Sequence, residues 1–152
     1  MSKISDHISY KEATYSNTAI RLNIENKPND YQLGNMSAVA YHIFEPLREW
    51  VGGPIKINSF FRSLALNNVF GAKNSQHIEG RAIDIDDTFG HKTNAQMFKY
   101  IKDNLDFDTL IWEFGNNKNP NWIHVSYISN TENRSRVLKA VKVNNQTHYR
   151  YI

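Results

Sequence analysis

Ser75-Gln76-His77-Ile78-Glu79-Gly80-Arg81-Ala82-Ile83-Asp84 runs from a polar turn into an alternating strand, and it sets an imidazole and a carboxylate seven positions apart around a glycine. Gly80 lets the turn fold back tightly, and alternation from Ala82 to Asp86 puts Ile83 and Ile85 on one face and Asp84 on the other. A second imidazole follows in Trp122-Ile123-His124-Val125-Ser126, where Trp122, His124 and Ser126 share one face and Ile123, Val125 and Tyr127 take the core face. Two neutral imidazoles and one carboxylate form a three-ligand set of the kind a catalytic zinc uses, with the fourth tetrahedral position left for a water that the metal acidifies. Taken singly, a strand histidine or aspartate is more often structural than a ligand. Core packing does not ask for the three together.

The elements on either side describe a scaffold of helices and strands. Met36, Val39, Ala40, Ile43, Leu47 and Trp50 recur at helical spacing between Asp30 and Trp50, so this stretch is predicted as a long amphipathic helix facing the core. Pro46 should kink its last turn or restart it. A shorter helix is expected from Tyr10 to Asn17, another from Leu64 to Phe70 with Ser63 as N-cap, and a third from Thr93 to Asn104 with Met97, Tyr100, Ile101 and Leu105 inward. Ile55 to Ser59, Thr109 to Phe114 and Trp122 to Ile128 read as strands, the last two joined as a hairpin through Gly115 to Pro120. Arg136 to Val143 and Thr147 to Ile152 form a final hairpin across Asn144-Asn145. The expected class is α+β, a mainly antiparallel sheet with helices packed against it, in one domain over 1–152.

Composition narrows the chemistry. With 152 residues and 40% hydrophobic content the chain can build one proper core. Zero cysteines excludes disulfides and thiolate sites, leaving His, Asp, Glu and hydroxyls for any metal or catalytic role. The N-terminus has no apolar leader and no run approaches a membrane span, so a soluble chain without its own export signal is expected. The net charge is +3, and Arg134, Arg136, Lys139, Lys142 and Arg150 all lie beyond the last acid, Glu132. That excess reads as a solvated strand face, with an anion-binding patch as the alternative. No aromatic and basic platform accompanies it, so nucleic acid is not expected as a partner.

The segment from Ser75 to Asp84, followed by Trp122-Ile123-His124-Val125-Ser126, resembles the signature of the zinc D-alanyl-D-alanine carboxypeptidases and their relatives, peptidase family M15. That family includes phage endolysins and D,D-dipeptidases and shares its core with the zinc site of hedgehog signalling domains. Glu45-Pro46-Leu47-Arg48, Ser59-Phe60-Phe61-Arg62-Ser63, Ala72-Lys73-Asn74-Ser75-Gln76-His77 and Leu110-Ile111-Trp112-Glu113-Phe114 extend the resemblance from Ile4 to about Ala140. It implies a hedgehog-like fold and a zinc held by His77, Asp84 and His124. It also implies an arginine, Arg62, that binds substrate or stabilises the developing oxyanion, and contacts to substrate from Ser75 and Trp122. Ser75 could equally be a turn residue.

One position departs from the family pattern. Several relatives carry a catalytic carboxylate three residues before the last ligand, where this chain has Asn121, which cannot accept a proton. Glu113 is the candidate to replace it, because the hairpin returns the end of its strand toward His124. Glu79 is expected to face solvent, and Asp86 to support a metal ligand. The resemblance implies a zinc metallopeptidase that hydrolyses peptidoglycan peptides, either as a D-Ala-D-Ala carboxypeptidase or as a bacteriophage endolysin. Such a monomer would stay in the cytoplasm until a partner holin released it to the cell wall. The alternative is a non-catalytic zinc-binding domain of the same fold.

Overall fold

Alternating strands assemble into one six-stranded sheet whose two faces have opposite chemistry. The computed structural model describes residues 2–71 and 75–152; Ala72, Lys73 and Asn74, part of one resemblance-bearing motif, lie outside the described residues. A short ribbon, β1 (Lys3–Ser5) with β2 (Ile8–Ser9), precedes two small helices, α1 (Tyr10–Thr14) and α2 (Asn17–Arg21). The single helix expected from Tyr10 to Asn17 is thus divided at Tyr15, because Ser16 accepts from Ala19 N and caps a new helix.

The long helix from Asp30 is continuous but not uniform. α3 (Asp30–Val39) passes into a π-helical segment, Ala40–Phe44, and then into α4 (Glu45–Val51), which ends at Gly52 in the left-handed region. Pro46 lies in the first turn of α4, where its missing N–H is tolerated, so the expected restart takes the form of a π bulge. One extra residue in the turn rotates the apolar stripe. Met36, Val39, Ala40, Ile43 and Leu47 are buried as predicted, and Phe44 and Val51 join them. Trp50, expected in the core, instead stays 38% exposed and stacks on Tyr100 at 4.4 Å.

The sheet contains β3 (Lys56–Ser59), β4 (Ala82–Asp86), β5 (Thr109–Glu113), β6 (Trp122–Ser126), β7 (Arg136–Val143) and β8 (Gln146–Tyr151), in the spatial order β3-β4-β6-β5-β7-β8. It is antiparallel except where β7 runs parallel to β5. The final hairpin forms as predicted, with Asn144 (φ 52°) and Asn145 (φ 64°) supplying the left-handed turn that matches strand twist. Its placement was not predicted: after β6 the chain crosses the end of β5 and joins that strand's free edge.

α5 (Leu64–Val69) starts at Ser63, whose Oγ accepts from Leu66 N, and α6 (Asn94–Asn104) carries a capping box from Thr93 and Gln96. α6 buries Met97, Phe98 and Ile101, while Tyr100 and Leu105 pack at the edge of the core. The large apolar cluster joins the α3 to α4 helix and α6 to Ile83, Ile85, Leu110, Ile123 and Val125 on one face of the sheet. Among the described residues, no helix is long and apolar enough to cross a membrane.

Candidate metal centre and cleft

Gly80 closes the turn that carries His77, and it must be glycine for two reasons. Its φ is +74°, and a Cβ there would lie 2.6 Å from Gln32 O and 2.7 Å from Met36 Cγ on α3. The same helix clamps the turn: Gln32 Nε2 donates to Ile78 O at 3.0 Å and Asn35 Nδ2 to Glu79 O at 2.9 Å. Ser75 Oγ accepts from His77 N at 3.2 Å, and Arg62 N donates to His77 O at 3.2 Å. His77 is therefore fixed from three sides before its ring makes any contact.

Pairing of β4 with β6 sets Asp84 opposite His124, both on the face away from the helices. Ring and carboxylate converge as the alternation predicted. Asp84 Oδ1 lies 3.0 Å from His124 Nδ1, Asp84 Oδ2 lies 3.2 Å from His77 Nε2, and the two rings stand edge to face at 5.3 Å. One donor atom from each of the three residues falls within 4.8 Å of the other two, a group that could hold a metal ion. Burial raises the cost of charge on Asp84, yet His77 and His124 beside it hold its carboxyl well below the ordinary carboxylate range.

The tautomer of His77 tests whether a cation fits. Its Nδ1 sits 2.7 Å from the carbonyl of Phe60, which can only accept, so Nδ1 carries the proton. The side chain is 3% exposed, and burial lowers its pKa, so it is neutral near pH 7. Nε2 is then a bare lone pair. Among the described residues it is buried without a hydrogen-bond partner, although an Asp84 oxygen lies 3.2 Å away. Two acceptors facing each other in a buried site repel, and a cation between them removes both the repulsion and the unmet bonding capacity. The residues present fit a metal of the zinc type.

Arg62, Ser75, Trp122 and Glu113 all line one open cleft of about 1100 Å³ beside this group. Arg62 Nε donates to Ser59 Oγ at 3.0 Å and Nη2 to Asp84 Oδ2 at 3.2 Å, with the guanidinium 5.2 Å over the Phe70 ring. The cation expected beside substrate thus also touches a candidate metal ligand. Ser75 takes the turn role already described, and half-buried Trp122 packs on Phe114 with rings 5.5 Å apart. A second groove, passing Tyr15 and Phe70, meets the cleft at Arg62, Asp84 and Trp122.

Glu113 faces the cleft but stands opposite Trp122, while Ile111 is the residue opposite His124. The residue is 7% exposed, and burial pushes its carboxyl pKa up to about 7, with Asp84 adding to the rise and His124 and Arg62 opposing it. Asn121, exposed at the cleft edge, donates its backbone N–H to Glu113 O at 2.9 Å. Glu79 faces solvent as expected, 3.8 Å from Arg81. Asp86 does not take the supporting role foreseen for it. Its oxygens accept from Asp87 N, Thr88 Oγ1 and Asn94 Nδ2, and Asn94 in turn holds the carbonyls of Pro120 and Asn121 ahead of β6.

Sequence reasoning missed the brace beneath the cleft. Asp108, fully buried, accepts from Gln76 Nε2, Thr109 Oγ1 and the Arg134 guanidinium, tying the His77 turn to the start of β5 and the chain before β7. The only sequence signal was an aspartate ahead of an apolar strand, which is indistinguishable from a turn residue.

No curated protein matches the chain. A family model described as Peptidase M15 matches residues 6–126, from the first ribbon to the end of β6 and across every residue that converges on the cleft from β3 to β6, and the chain therefore belongs to the M15 peptidase family.

Proposed function

We propose that this peptidase is zinc-dependent and hydrolyses peptide bonds of peptidoglycan, with His77, Asp84 and His124 as the metal ligands. The observation that carries the reading is the lone pair of His77 Nε2, buried and, among the described residues, unpartnered within reach of Asp84. Zinc held by such a set supplies Lewis acidity, which acidifies water and polarises a carbonyl. The Phe60 carbonyl holds His77 in the ligating tautomer, and the Asp84 carboxylate lies between the two imidazoles, 3.2 Å from His77 Nε2 and 3.0 Å from His124 Nδ1. Glu113, with a pKa near neutrality, takes a proton from the attacking water and delivers it to the leaving amine as the C–N bond breaks. Arg62 orients the substrate carbonyl and faces the charge that develops on it. Trp122 provides a flat apolar wall, and Ser75 a hydroxyl at the cleft edge.

Elemental analysis of protein purified without chelators should give one zinc per chain, falling sharply in His77→Ala, Asp84→Ala and His124→Ala. Protein that carries no transition metal and takes up none on titration would refute the reading. Mass spectrometry of peptidoglycan digested by the zinc-loaded protein then identifies the bond cleaved and separates carboxypeptidase from endolysin-type cleavage. Asn121 favours one second reading, a zinc-binding domain without turnover. In that case the wild type is inert and Asn121→Asp switches on cleavage.

A further inference from the structure

The acid-free C-terminal stretch does not form a uniform solvated face, because the β7–β8 hairpin divides its cations between the two sides of the sheet. Lys139 donates to Asn117 Oδ1, away from the cleft, whereas Arg134, Arg136 and Lys142 line the cleft that holds the candidate metal group. Arg134 is neutralised by Asp108, at 2.7 Å and 2.9 Å from its two oxygens. Arg136 is not. Its Nε and Nη2 donate to a neutral oxygen, Thr109 Oγ1, at 3.2 Å and 3.0 Å, and among the described residues it makes no ion pair. Two of its five N–H donors are used in this way, leaving three and a whole positive charge. Lys142, 5.5 Å over the Phe114 ring, adds at the rim a second cation without an ion pair among the described residues.

The path between the two ends of the cleft is apolar. Ile111, Leu138 and Ala140 form a small buried cluster on this face of the sheet, with Phe114 packed against it. Thr109 pairs with Ser126, two residues from His124 on the adjacent strand. At strand spacing of about 4.8 Å and a rise of about 3.4 Å per residue, the Arg136 guanidinium over Thr109 lies roughly 8 Å along the sheet from the metal group, the span of two to three extended residues. The matched family segment ends at residue 126, so Arg136 and Lys142 belong to the part of the cleft beyond it.

We propose that Arg136 is a specificity residue that binds a carboxylate of the peptide substrate, two to three residues from the scissile bond. The proposal rests on the peptidase reading above and assigns Arg136 a role distinct from that of Arg62 at the reacting carbonyl. A carboxylate accepts two parallel bonds from a guanidinium fork, and in a cleft with an apolar floor that pairing is stronger than in open solvent. The carboxylate comes from an acidic side chain or from the C-terminus of the peptide, and the experiment distinguishes these sources.

The probe is a synthetic peptidoglycan stem peptide with one acidic residue and a free C-terminus, in four forms with either, both or neither carboxylate amidated. Binding to the metal-free protein is measured by titration calorimetry, so no turnover intervenes. Wild type should bind the unmodified form roughly 10- to 100-fold more tightly than the doubly amidated form. The single amide that removes the preference identifies the source. Arg136→Gln should abolish the preference with its unfolding midpoint retained. Arg136→Lys should fall between the two and carries the comparison if Arg136→Gln does not fold. Equal affinity for all four forms, no saturable binding by wild type, or an unchanged preference in Arg136→Gln each overturns the proposal. Zinc uptake and hydrolysis are measured separately: turnover without carboxylate preference overturns this proposal alone, and carboxylate-selective binding in a protein that takes up no zinc supports it while removing the zinc reading.

Discussion

The two faces of the six-stranded sheet are built from the same strands and differ by one residue in register. On β4, Ile83 and Ile85 are buried among the helices while Asp84 between them belongs to the candidate metal group; on β6, Ile123 and Val125 enclose His124 in the same manner. The helix-covered face is a continuous apolar core. The open face carries a small apolar cluster, buried polar groups and a cleft. Because side chains alternate strictly, stability and chemistry share each strand, and the rigid core behind fixes the donors in front to within hydrogen-bonding distances. The two faces should therefore respond to substitution in different measurements.

The largest effect is expected at Glu113. Glu113→Gln should keep the fold and the zinc while lowering turnover by about 100- to 10,000-fold, the range for a positioned general base. Steady-state rates with zinc content measured alongside check this, and near wild-type turnover would move proton transfer to another group. On the opposite face, Ile83→Ala should cost about 2 to 5 kcal/mol in unfolding free energy, because the cavity opens in a packed core. Denaturant melts of the metal-free protein read that loss. Native Ile83→Ala should still bind one zinc, and its failure to do so would show that the faces are coupled more tightly than alternation requires.

Arg62→Ala should depress turnover by roughly 30- to 1000-fold, corresponding to about 2 to 4 kcal/mol in the transition state. Its contact with Asp84 adds a second reading: zinc affinity should change far less than turnover if the arginine serves the substrate. Parallel loss of both would make Arg62 a support for the ligand. Arg62→Lys should rescue poorly, since a point charge does not reproduce the planar fork.

The smallest effect is a pH dependence carried by the same buried glutamate. Glu113 in the folded, metal-free protein titrates near 7, against an ordinary value of 4.5, so between those values the native state holds a proton that the unfolded state has lost. Stability therefore falls as pH rises through this window, by up to about 3 kcal/mol. His77 contributes with the opposite sign, because its depressed pKa costs stability as pH falls below its ordinary value of 6.5. Comparing wild type with Glu113→Gln isolates the glutamate: the variant should gain on wild type between pH 5 and pH 7.5. A constant difference across that range would show that the glutamate is ionised in both states.

The local sequence determined a good deal by itself. Alternation was enough to place Asp84 and His124 on one side and the isoleucines on the other, because a period of two residues leaves no freedom once a strand forms, while His77 reaches the same side on a turn clamped by α3. Helix caps at Ser63 and the Asn144-Asn145 turn were equally legible, being local hydrogen bonding and local backbone conformation. Tertiary structure decided the rest. The parallel docking of β7 on β5, the π bulge that sends Trp50 to the rim, and the buried Asp108 that ties Gln76 to Arg134 depend on segments distant in sequence meeting in space. So does the charge state of the site: a carboxyl like that of Glu113 acquires its raised pKa only when folding removes its water, and Arg136 enters the cleft as a cation held by the neutral Thr109 Oγ1 only when β7 lies beside β5.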